Sequence, residues 1–396
     1  MNQHAATTAE VPALAPPPSA GHPLPVDPEL TRLLHVVRAR GASDLHLSVG
    51  RPPMIRVDGH LVELAEPALV AGAIERMLAS VLDGVRRAAY ATHHQADFSV
   101  TVPDAGRFRV NAFRQLGSPA AALRAIPPVV PTAAELGLPS EVERVASFPY
   151  GLVLFVGPTG SGKSTTQAAL IGMVNATRPC HILTIEDPVE YVHGAGRAMV
   201  NQREVGTDVH SFADGLRAAL REDPDLILLG EMRDEESITS TLTLAETGHL
   251  VFATLHTNDA AQTIDRLVDA YPSDRREQVQ TQLAGALQAI VSQRLVPRVG
   301  GGRVAAYEVI IANDAIRNLV REGKTRQMRN VVSTGRAEGM STMEQSFSAL
   351  VADGVVTYDD AVARSQYPKE IWDPRVERRR TSRDPIRQRT AGRGLQ

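Results

Sequence analysis

An eight-residue segment that is rich in glycine and ends in lysine and serine has the composition of a phosphate-binding site. Its glycines let backbone N–H groups turn towards one point, where phosphate oxygens could bind. Lys163 supplies a cation for those oxygens, and Ser164 supplies a hydroxyl that can ligate Mg²⁺. The pattern Gly-x4-Gly-Lys-Ser predicts a nucleotide-binding loop, the P-loop, with ATP and Mg²⁺ as its ligands. Together with the next threonine, the predicted binding residues are Gly157, Pro158, Thr159, Gly160, Ser161, Gly162, Lys163, Ser164 and Thr165.

A carboxylate that follows an apolar segment could activate water beside the phosphates. The segment is Leu226–Leu229, and Gly230 and Glu231 come directly after it. P-loop enzymes usually carry an aspartate at the position of Gly230, so some other group must help to hold Mg²⁺. Glu231 could orient or deprotonate the attacking water. Glu186 ends another apolar segment and is a further candidate, although a carboxylate at a strand end can also cap a helix.

Short, continuously apolar segments alternate with helical patterns from about residue 133 onward. They are typical of strands in a parallel sheet covered on both faces, so this part of the chain is predicted to be an α/β domain. Further along, apolar residues at helical spacing predict an amphipathic helix over Asp274–Leu295, with Asp274 and Glu277 at capping-box spacing. The predicted strands are Leu152–Val156, His181–Ile185, Leu226–Leu229 and Leu250–Leu255, and a helix is predicted to begin near Lys163.

The residues before about 127 predict a smaller α+β domain. Apolar spacing predicts a helix over Leu30–Val37 that stops at Gly41, and Pro67 is expected to open a helix that ends near Asp83. The stiff connector Pro127–Pro131 separates the predicted domains, residues 28–126 and 133–370, with residues 127–132 as the linker. The predicted strands are Leu45–Val49, Met54–Val57, His60–Leu64 (after a turn at Asp58–Gly59), Asp97–Val100 and Arg107–Phe113.

The last of these strands carries arginines on one face. A period of two residues places Arg107, Arg109 and Asn111 on one face and apolar side chains on the other. Arg114 lies just past the end of the strand. A strand with one solvated face accounts for this pattern. Arginines that neutralise phosphate charge account for it equally well, and the pattern alone does not decide between the two.

The composition argues against several classes of protein. Aromatic residues make up 4% of the 396 residues and the net charge is −3, which argues against a partner made of nucleic acid. Cys180 is the only cysteine, so a disulfide framework and a CxxC-based zinc site are excluded. No apolar run approaches the ~20 residues that span a bilayer, and no signal peptide is evident, so we expect a cytoplasmic protein.

Both ends of the chain have the composition of disordered tails. Residues 1–27 are rich in proline and alanine, and residues 371–396 are predicted to be disordered as well. From Arg375 onward the second tail holds eight arginines and two acidic residues, a net charge of +6. A solvated tail is the simpler interpretation, and peripheral attachment to an anionic membrane surface is the alternative.

A series of motifs in a fixed order resembles the secretion ATPases of type II secretion and type IV pili. The similarity covers about residues 28–370 and leaves out both tails. Within this superfamily the chain is most similar to the pilus retraction ATPases, the PilT type, and the glycine at position 230 is part of the family's own pattern. The family calls the main segments the Walker A, Asp box, Walker B and His box. Here the motifs are Gly41–Leu47, the P-loop, Ile185–Glu190, Asn201–Gly206, Arg217–Asp234 and Thr247–Thr257.

The resemblance implies a homo-hexameric ring of two-domain subunits. Each subunit would have a PAS-like N-terminal domain and a RecA-like domain, with ATP bound between them. Glu231 matches the family's catalytic glutamate. Glu186 matches the glutamate that is assigned to Mg²⁺, which it would hold together with Ser164 and partly through water.

The resemblance also assigns histidines and arginines to this site. His249 and His256 match the two His-box histidines, near the γ-phosphate and the domain interface. An arginine of the N-terminal domain would neutralise phosphate charge when that domain closes over the nucleotide. The candidates for this role are Arg107, Arg109 and Arg114.

The cysteine count and one C-terminal helix bear on the type of ATPase. Pilus assembly and type II secretion ATPases usually carry a four-cysteine zinc module, which this chain cannot build, so no zinc is expected. The retraction type has a short helix similar to Ala315–Leu319, which continues here as Val320–Lys324, and the resemblance implies that retraction needs it. Asp314 is expected to cap this helix. The residues expected to face outward are Arg317, Asn318 and Arg321.

The resemblance therefore implies a motor that hydrolyses ATP and shortens a type IV pilus by acting on the inner-membrane platform protein. Such a motor would lie at the inner face of the cytoplasmic membrane. The alternatives are an accessory retraction ATPase of the PilU type, a pilus assembly or type II secretion ATPase, and a DNA-translocating ATPase. A nucleotide-gated scaffold with little turnover is a further alternative, against which the complete set Lys163, Ser164 and Glu231 argues.

Overall fold

The computed structural model describes residues 26–375 except positions 58, 128 and 233. The predicted tails up to residue 25 and from residue 376, the turn residue Asp58 and the connector residue Pro128 therefore lie outside the described residues. The rest divides into two compact units. Unit 1 consists of residues 26–130 and Val174–Gly215, and unit 2 consists of Pro131–Met173 and residues 216–375. The predicted domain boundaries stay a prediction.

The first 125 residues contain three helices and six strands among the described positions, two elements more than were predicted. They are α1 (Pro28–Ala39), β1 (Asp44–Ser48), β2 (Met54–Val57), β3 (His60–Glu63), α2 (Ala71–Ala79), α3 (Gly84–His93), β4 (Gln95–Val102), β5 (Gly106–Gln115) and β6 (Ser118–Ala125).

The remaining elements alternate between helix and strand before ending in a group of short helices. They are α4 (Ala133–Leu136), α5 (Ser140–Arg144), β7 (Gly151–Val156), α6 (Lys163–Thr177), β8 (His181–Glu186), β9 (Met199–Glu204), α7 (Phe212–Ala219), β10 (Leu226–Leu229), α8 (Glu235–Glu246), β11 (Leu250–Leu255), α9 (Ala260–Asp269), α10 (Arg276–Ala286), β12 (Leu287–Pro297), β13 (Arg303–Ile311), α11 (Asp314–Arg321), α12 (Met328–Thr334), α13 (Met343–Ala352) and α14 (Tyr358–Val362).

Unit 1 contains a six-stranded antiparallel sheet in the order β3-β2-β1-β6-β5-β4. Helix α1 begins where the Asp27 side chain accepts hydrogen bonds from the backbone N–H groups of Glu29 and Leu30, and Gly41, with φ of +60°, follows its end. Side chains alternate along β5, with Phe108, Val110 and Ala112 buried. The predicted faces of this strand are therefore confirmed. The other strands of unit 1, β8 and β9, pair in parallel.

Five strands of unit 2 follow one another in the order β13-β12-β7-β11-β10. Strand β7 is parallel to β11 and β12, β11 is parallel to β10, and only β13 of these five runs antiparallel, against β12. Every residue of β7, β10 and β11 is buried, as the continuously apolar segments predicted. Because the three strands are parallel, their carboxyl ends lie at one edge of the sheet, which is where α/β proteins place their sites.

The predicted helix over Asp274–Leu295 is wrong in its second half. Helix α10 ends at Ala286, and Leu287–Pro297 is a strand that pairs with β7 on one side and β13 on the other. A short apolar run does not distinguish a buried strand from a buried helix, and here the two neighbouring strands decide. The predicted capping box at Asp274 is also wrong, because the N-cap residue of α10 is Arg275 and its side chain makes no capping hydrogen bond.

Other errors concern the ends of helices and strands that the pattern did not reveal. The helix expected from Pro67 to Asp83 is α2, which begins at Ala71 and ends at Ala79. Helix α3 and strands β6, β9 and β13 were not predicted. Helix α11 is capped by Asn313, whose Oδ1 accepts from the N–H of Ile316, and not by Asp314.

One side chain of α11 that was expected to face outward is packed against the protein. Arg317 Nη1 donates to the carbonyl oxygens of Ala284 at 2.7 Å and Gly285 at 2.8 Å, at the end of α10. Asn318 and Arg321 are exposed as predicted. The arginine binds the carbonyls that a helix leaves unpaired at its C-terminus.

Within residues 26–375, apart from the three undescribed positions, no helix combines the length and the apolar character needed to cross a membrane.

Candidate nucleotide-binding site

The P-loop connects the end of β7 to the first residue of α6. Gly157 has φ of +141° and Gly162 has φ of +91°, a region that residues with a side chain avoid. A Cβ atom added at Gly157 would lie 2.4 Å from the carbonyl oxygen of Gln293, and one at Gly162 would lie 2.8 Å from Gln293 Nε2. These two glycines are required both by the backbone conformation and by the strand β12 beneath the loop.

The loop has the features of a phosphate cradle. Residues Pro158 to Gly160 are exposed, and Lys163 is buried with its Nζ donating to the carbonyl oxygens of Gly157 at 2.6 Å and Pro158 at 3.1 Å. The Ser161 hydroxyl is buried and has no hydrogen-bond partner among the described residues. Since α6 begins at Lys163, its N-terminal N–H groups and its positive dipole end lie at the loop. A phosphate group fits this donor set.

Glu231 and His256 lie at the same edge of unit 2 as the P-loop. Glu231 follows β10 and His256 follows β11, and both strands run parallel to β7. His256 Nε2 lies 3.7 Å from Glu231 Oε2, and His256 Nδ1 lies 3.4 Å from both Lys163 Nζ and Thr159 Oγ1. The structure therefore brings these predicted residues together from three separate parts of the sequence. A carboxylate here can accept a proton from water beside a phosphate bound in the loop.

His249 lies at the opposite end of β11 from His256. Its backbone carbonyl accepts from the N–H of Gly151, the first residue of β7, and its Nδ1 lies 3.0 Å from the carbonyl oxygen of Leu244. A strand of this length separates the two histidines by roughly 20 Å. The structure does not bring His249 to the P-loop of its own chain, and its role stays a prediction.

Glu186 is the last residue of β8, in unit 1. Its Oε1 accepts hydrogen bonds from Thr184 Oγ1 at 2.6 Å and Gln202 Nε2 at 3.4 Å. Burial raises the pKa of Glu186 to about 7, against the opposing effect of these two hydrogen bonds, and the nearby charge of Glu190 raises it further. The side chain of Glu186 caps no described helix, and its role as a Mg²⁺ ligand stays a prediction.

The three candidate arginines of unit 1 are in different surroundings. Arg107 Nη2 donates to Glu204 Oε2 at 2.6 Å, so this guanidinium is held by a buried carboxylate. Arg114 is exposed, donates to the carbonyl oxygen of Gly117 and lies over the ring of Tyr90. Arg109 is half-buried and makes no side-chain hydrogen bond or ion pair within the described part of the chain.

Sequence reasoning missed Gln293, which underlies the P-loop from β12. Its backbone carbonyl and side-chain amide are the atoms that exclude a Cβ at Gly157 and Gly162, and its Oε1 is buried with no hydrogen-bond partner in the described structure. The segment was predicted as helix, so no signal placed Gln293 at the site. Gln167 was also missed. It accepts from Thr254 Oγ1 at 3.1 Å, and its Nε2 is buried without a partner among the described residues.

A glycine-rich loop between a parallel strand and a helix, with a lysine and a carboxylate beside it, defines a P-loop nucleotide-binding protein of the α/β class. The family model for type II/IV secretion system proteins matches residues 22–364. The chain therefore belongs to this family, and it is an ATPase.

Individual relatives agree with this membership. The chain is 48% identical to the type IV pilus retraction ATPase PilT of Pseudomonas aeruginosa over 343 residues, which are 87% of this chain and 100% of PilT. It is 38% identical to the type IV pilus ATPase PilU of the same organism over 344 residues, 87% of this chain and 90% of PilU. The crystal structure of the pilus retraction motor PilT with bound ADP aligns with a TM-score of 0.80 and 48% identity, covering 86% of this chain and 98% of that one.

These similarities confirm the predicted fold class, a two-domain ATPase with a RecA-like domain, and the predicted resemblance. They also confirm that the chain binds a nucleotide, since the family consists of ATPases and the related structure contains ADP.

Proposed function

We propose that this protein is the motor ATPase that retracts a type IV pilus and so drives twitching motility. The observation that carries the proposal is the 48% identity to PilT over that protein's whole length, in a chain whose P-loop, Glu231 and His256 converge at one edge of unit 2. A match to PilT over only the ATPase half of the chain would support nucleotide hydrolysis and nothing more. A match over the full length supports the same mechanical task.

In the proposed reaction, the P-loop binds the phosphates of ATP and Glu231 activates the attacking water. Lys163 exchanges hydrogen bonds with loop carbonyls for bonds to phosphate oxygens. The Ser164 hydroxyl is exposed in the first turn of α6, where it can ligate Mg²⁺. Glu186 is the second proposed ligand, partly through water, because carboxylate and hydroxyl oxygens are the donors that Mg²⁺ prefers. The ion would neutralise charge on the phosphates.

Among the three arginines, we assign the phosphate-neutralising role to Arg109. Arg107 and Asn111, on the same face of β5, bond to Glu204 and to Asp97 Oδ1 respectively. Arg109 lies between them and has no such partner among the described residues. A guanidinium that does not have to leave a buried carboxylate reaches a phosphate at a lower cost. A positive charge from this strand would then stabilise the transition state as arginine fingers do.

Mechanical coupling requires an assembly and a partner. We propose a homo-hexamer at the inner face of the cytoplasmic membrane that acts on the inner-membrane platform protein of the pilus. The full-length similarity to the pilus retraction motor supports this. The basic residues after Arg375 would add peripheral attraction to an anionic membrane.

A second candidate is the accessory retraction ATPase, because PilU also matches over most of its length, at 38% identity. The deciding experiment is deletion of the gene followed by counting surface pili and measuring twitching. Excess pili without twitching supports the main motor, and a strain without pili would contradict retraction. An accessory ATPase predicts nearly normal pilus number, and it also predicts that this gene fails to restore twitching to a strain that lacks its main retraction motor.

The exposed face of α11 is the proposed contact for coupling. Arg317 does not suit a test of this idea, because its bonds to the end of α10 make its removal a packing change. Arg321 is exposed and lies on the same helix. We expect Arg321→Ala to leave ATP hydrolysis within about twofold of normal while reducing twitching. Equal losses of hydrolysis and twitching would contradict a coupling role.

A further inference from the structure

A buried carboxylate of unit 1 joins three separate segments of the chain. Glu204 is the last residue of β9, and its Oε2 accepts hydrogen bonds from Ser99 Oγ at 2.6 Å and from Arg107 Nη2 at 2.6 Å. The same oxygen accepts from the backbone N–H of Val189 at 3.2 Å. Ser99 belongs to β4 and Arg107 to β5, so one carboxylate binds the antiparallel sheet and the segment after β8 together.

The guanidinium of Arg107 binds the same peptide unit from the other side. Its Nε donates to the carbonyl oxygen of Val189 at 3.3 Å, and its Nη2 also donates to Ser99 Oγ. Both polar groups of Val189 are therefore bound by the two members of one ion pair. Charge-assisted hydrogen bonds of this kind are stronger than neutral ones and have defined geometry. Glu204 and Arg107 together fix the position of the Val189 backbone, and we call this pair the latch.

The latch is adjacent to Glu186. Val189 is three residues after Glu186, and Glu186 pairs with Glu204 in the parallel register of β8 and β9. The N–H of Val205, the residue after Glu204, donates to the carbonyl oxygen of Glu186 at 2.8 Å. The backbone of Glu186 is thus hydrogen-bonded to β9, and the segment that follows Glu186 is bound by the latch. The latch leaves Glu186 little freedom to move along its strand.

A second arginine lies beside the other carboxylate oxygen of Glu204. Arg86 Nη2 lies 3.6 Å from Glu204 Oε1, donates to Thr207 Oγ1 at 2.5 Å and is positioned over the ring of Phe98. Buried charges are stable only when they are paired, and Glu204 has a cation on each of its oxygens. If Arg107 moved away to bind a phosphate, Glu204 would lose one of these two cations. The carbonyl oxygen of Val189 would lose its donor as well.

We propose that Glu204 and Arg107 are positioning residues for ATP hydrolysis, which act by holding the segment 187–190 and with it the carboxylate of Glu186. The proposal rests on the proposed role of Glu186 as a metal ligand. It assigns Arg107 a different role from Arg109, because the latch needs Arg107 at Glu204. Residues that orient a metal ligand from behind typically change metal affinity or activity by roughly 10- to 100-fold when they are removed.

Hydrogen–deuterium exchange of the full-length protein tests the latch without any nucleotide or metal. In Glu204→Ala, the peptide that contains residues 187–193 should exchange roughly tenfold faster than in the unchanged protein, since Val189 loses its acceptor. Glu204→Gln keeps an acceptor oxygen without the charge, so its exchange rate should fall between those of Glu204→Ala and the unchanged protein. The control is Glu66→Gln, which removes the charge of a half-buried carboxylate paired with Arg32 and should leave this peptide unchanged. Unchanged exchange in both Glu204 variants would overturn the latch.

Kinetics then connect the latch to Glu186. Glu204→Ala and Arg107→Ala should each lower kcat by roughly 10- to 100-fold, with a smaller change in KM for ATP and a raised Mg²⁺ requirement. Arg107→Lys should recover part of the loss, because an ammonium can still pair with Glu204. The double variant should lose no more than the worse single variant. Losses that multiply in the double variant would show that the two residues act separately and would overturn the proposal.

Failure of the latch and failure of the proposed function give different results. If Glu186→Gln leaves the Mg²⁺ requirement unchanged while Glu204→Ala accelerates exchange, the latch exists and the role of Glu186 is wrong. If Glu204→Ala does not fold, as judged by circular dichroism, Glu204→Gln and Arg107→Lys carry the same test. Unchanged exchange and unchanged kcat in these two folded variants would overturn the proposal.

Discussion

The P-loop of unit 2 and the arginine-bearing strand β5 of unit 1 present charge in opposite ways. The P-loop exposes Pro158–Gly160 and the Ser164 hydroxyl, and it leaves the buried hydroxyl of Ser161 without a partner among the described residues. Strand β5 directs Arg107 to a buried carboxylate that is itself fully bonded. The P-loop is arranged to receive a ligand, whereas most of the polar side chains on this face of β5 already have hydrogen-bond partners. Residue type alone therefore does not identify a ligand-binding cation, because the partners that the side chain already has decide whether it is available.

The largest expected effect is the loss of ATP turnover without the loss of ATP binding at the P-loop. Glu231→Ala should reduce ATP hydrolysis by roughly 10²- to 10⁴-fold, since a group that activates water is removed. Release of phosphate measures turnover, and a fluorescent ATP analogue measures binding, which should persist. The control is Glu236→Gln, an exposed carboxylate on α8 that pairs with Arg217. Hydrolysis at the normal rate in Glu231→Ala would remove its assigned role.

Arg107 and Arg109 lie on the same face of β5, and substituting each in turn tests whether their existing partners decide their roles. Arg109→Ala should lower kcat by roughly 10²-fold, because a charge that stabilises the transition state is lost. It should leave exchange of residues 187–193 unchanged, whereas Arg107→Ala should accelerate it. Phosphate release and hydrogen exchange on the same two variants provide the measurement. If Arg109→Ala hydrolyses ATP normally, the phosphate-neutralising residue must be sought elsewhere.

The close approach of β12 to the P-loop predicts a change in stability. Gly157→Ala should lower the free energy of unfolding by about 1–3 kcal/mol and weaken nucleotide binding, because the new Cβ meets the Gln293 carbonyl in a strained backbone conformation. The matched control is Gly72→Ala in α2, where a Cβ meets no atom within 4 Å. That change should be neutral or slightly stabilising, since alanine favours helices. Denaturant unfolding compares the two, and equal stabilities would contradict the packing argument.

A pH-dependent effect on stability is expected at a carboxyl group of unit 2 outside the P-loop. Burial raises the pKa of Glu308 from its ordinary 4.5 to about 7, opposed by a hydrogen bond from Ser292. The folded state keeps a proton that the unfolded state releases, so the free energy of unfolding falls as pH rises from about 4.5 to about 7. Glu308→Gln stays neutral, so its free energy of unfolding should rise relative to that of the unchanged protein as pH increases across this window. A difference between the two proteins that does not vary with pH would contradict the raised pKa.

Much of the fold could be predicted because each element has its own local pattern. The bounds of Leu226–Leu229 and Leu250–Leu255 agree with β10 and β11, since continuously apolar segments between polar loops are easily recognised. Strand β12 could not be predicted in this way. Its apolar residues suit a helix as well as a strand, and its conformation depends on pairing with β7 and β13, which are distant in sequence. Arg317 was misplaced for a similar reason, because its partners belong to α10.

The P-loop, the α/β class and the alternation of β5 follow from the amino-acid sequence alone, because they depend on neighbouring residues and on fixed backbone periodicities. The availability of each charged group, in contrast, depends on the tertiary structure. Arg107 and Arg109 are two residues apart and chemically identical, yet a carboxylate from β9 binds one and not the other. The tertiary structure also places His256 beside Lys163 and leaves His249 at the far end of the same strand. Such outcomes depend on long-range contacts, in which a buried charge takes whatever partner the fold brings to it.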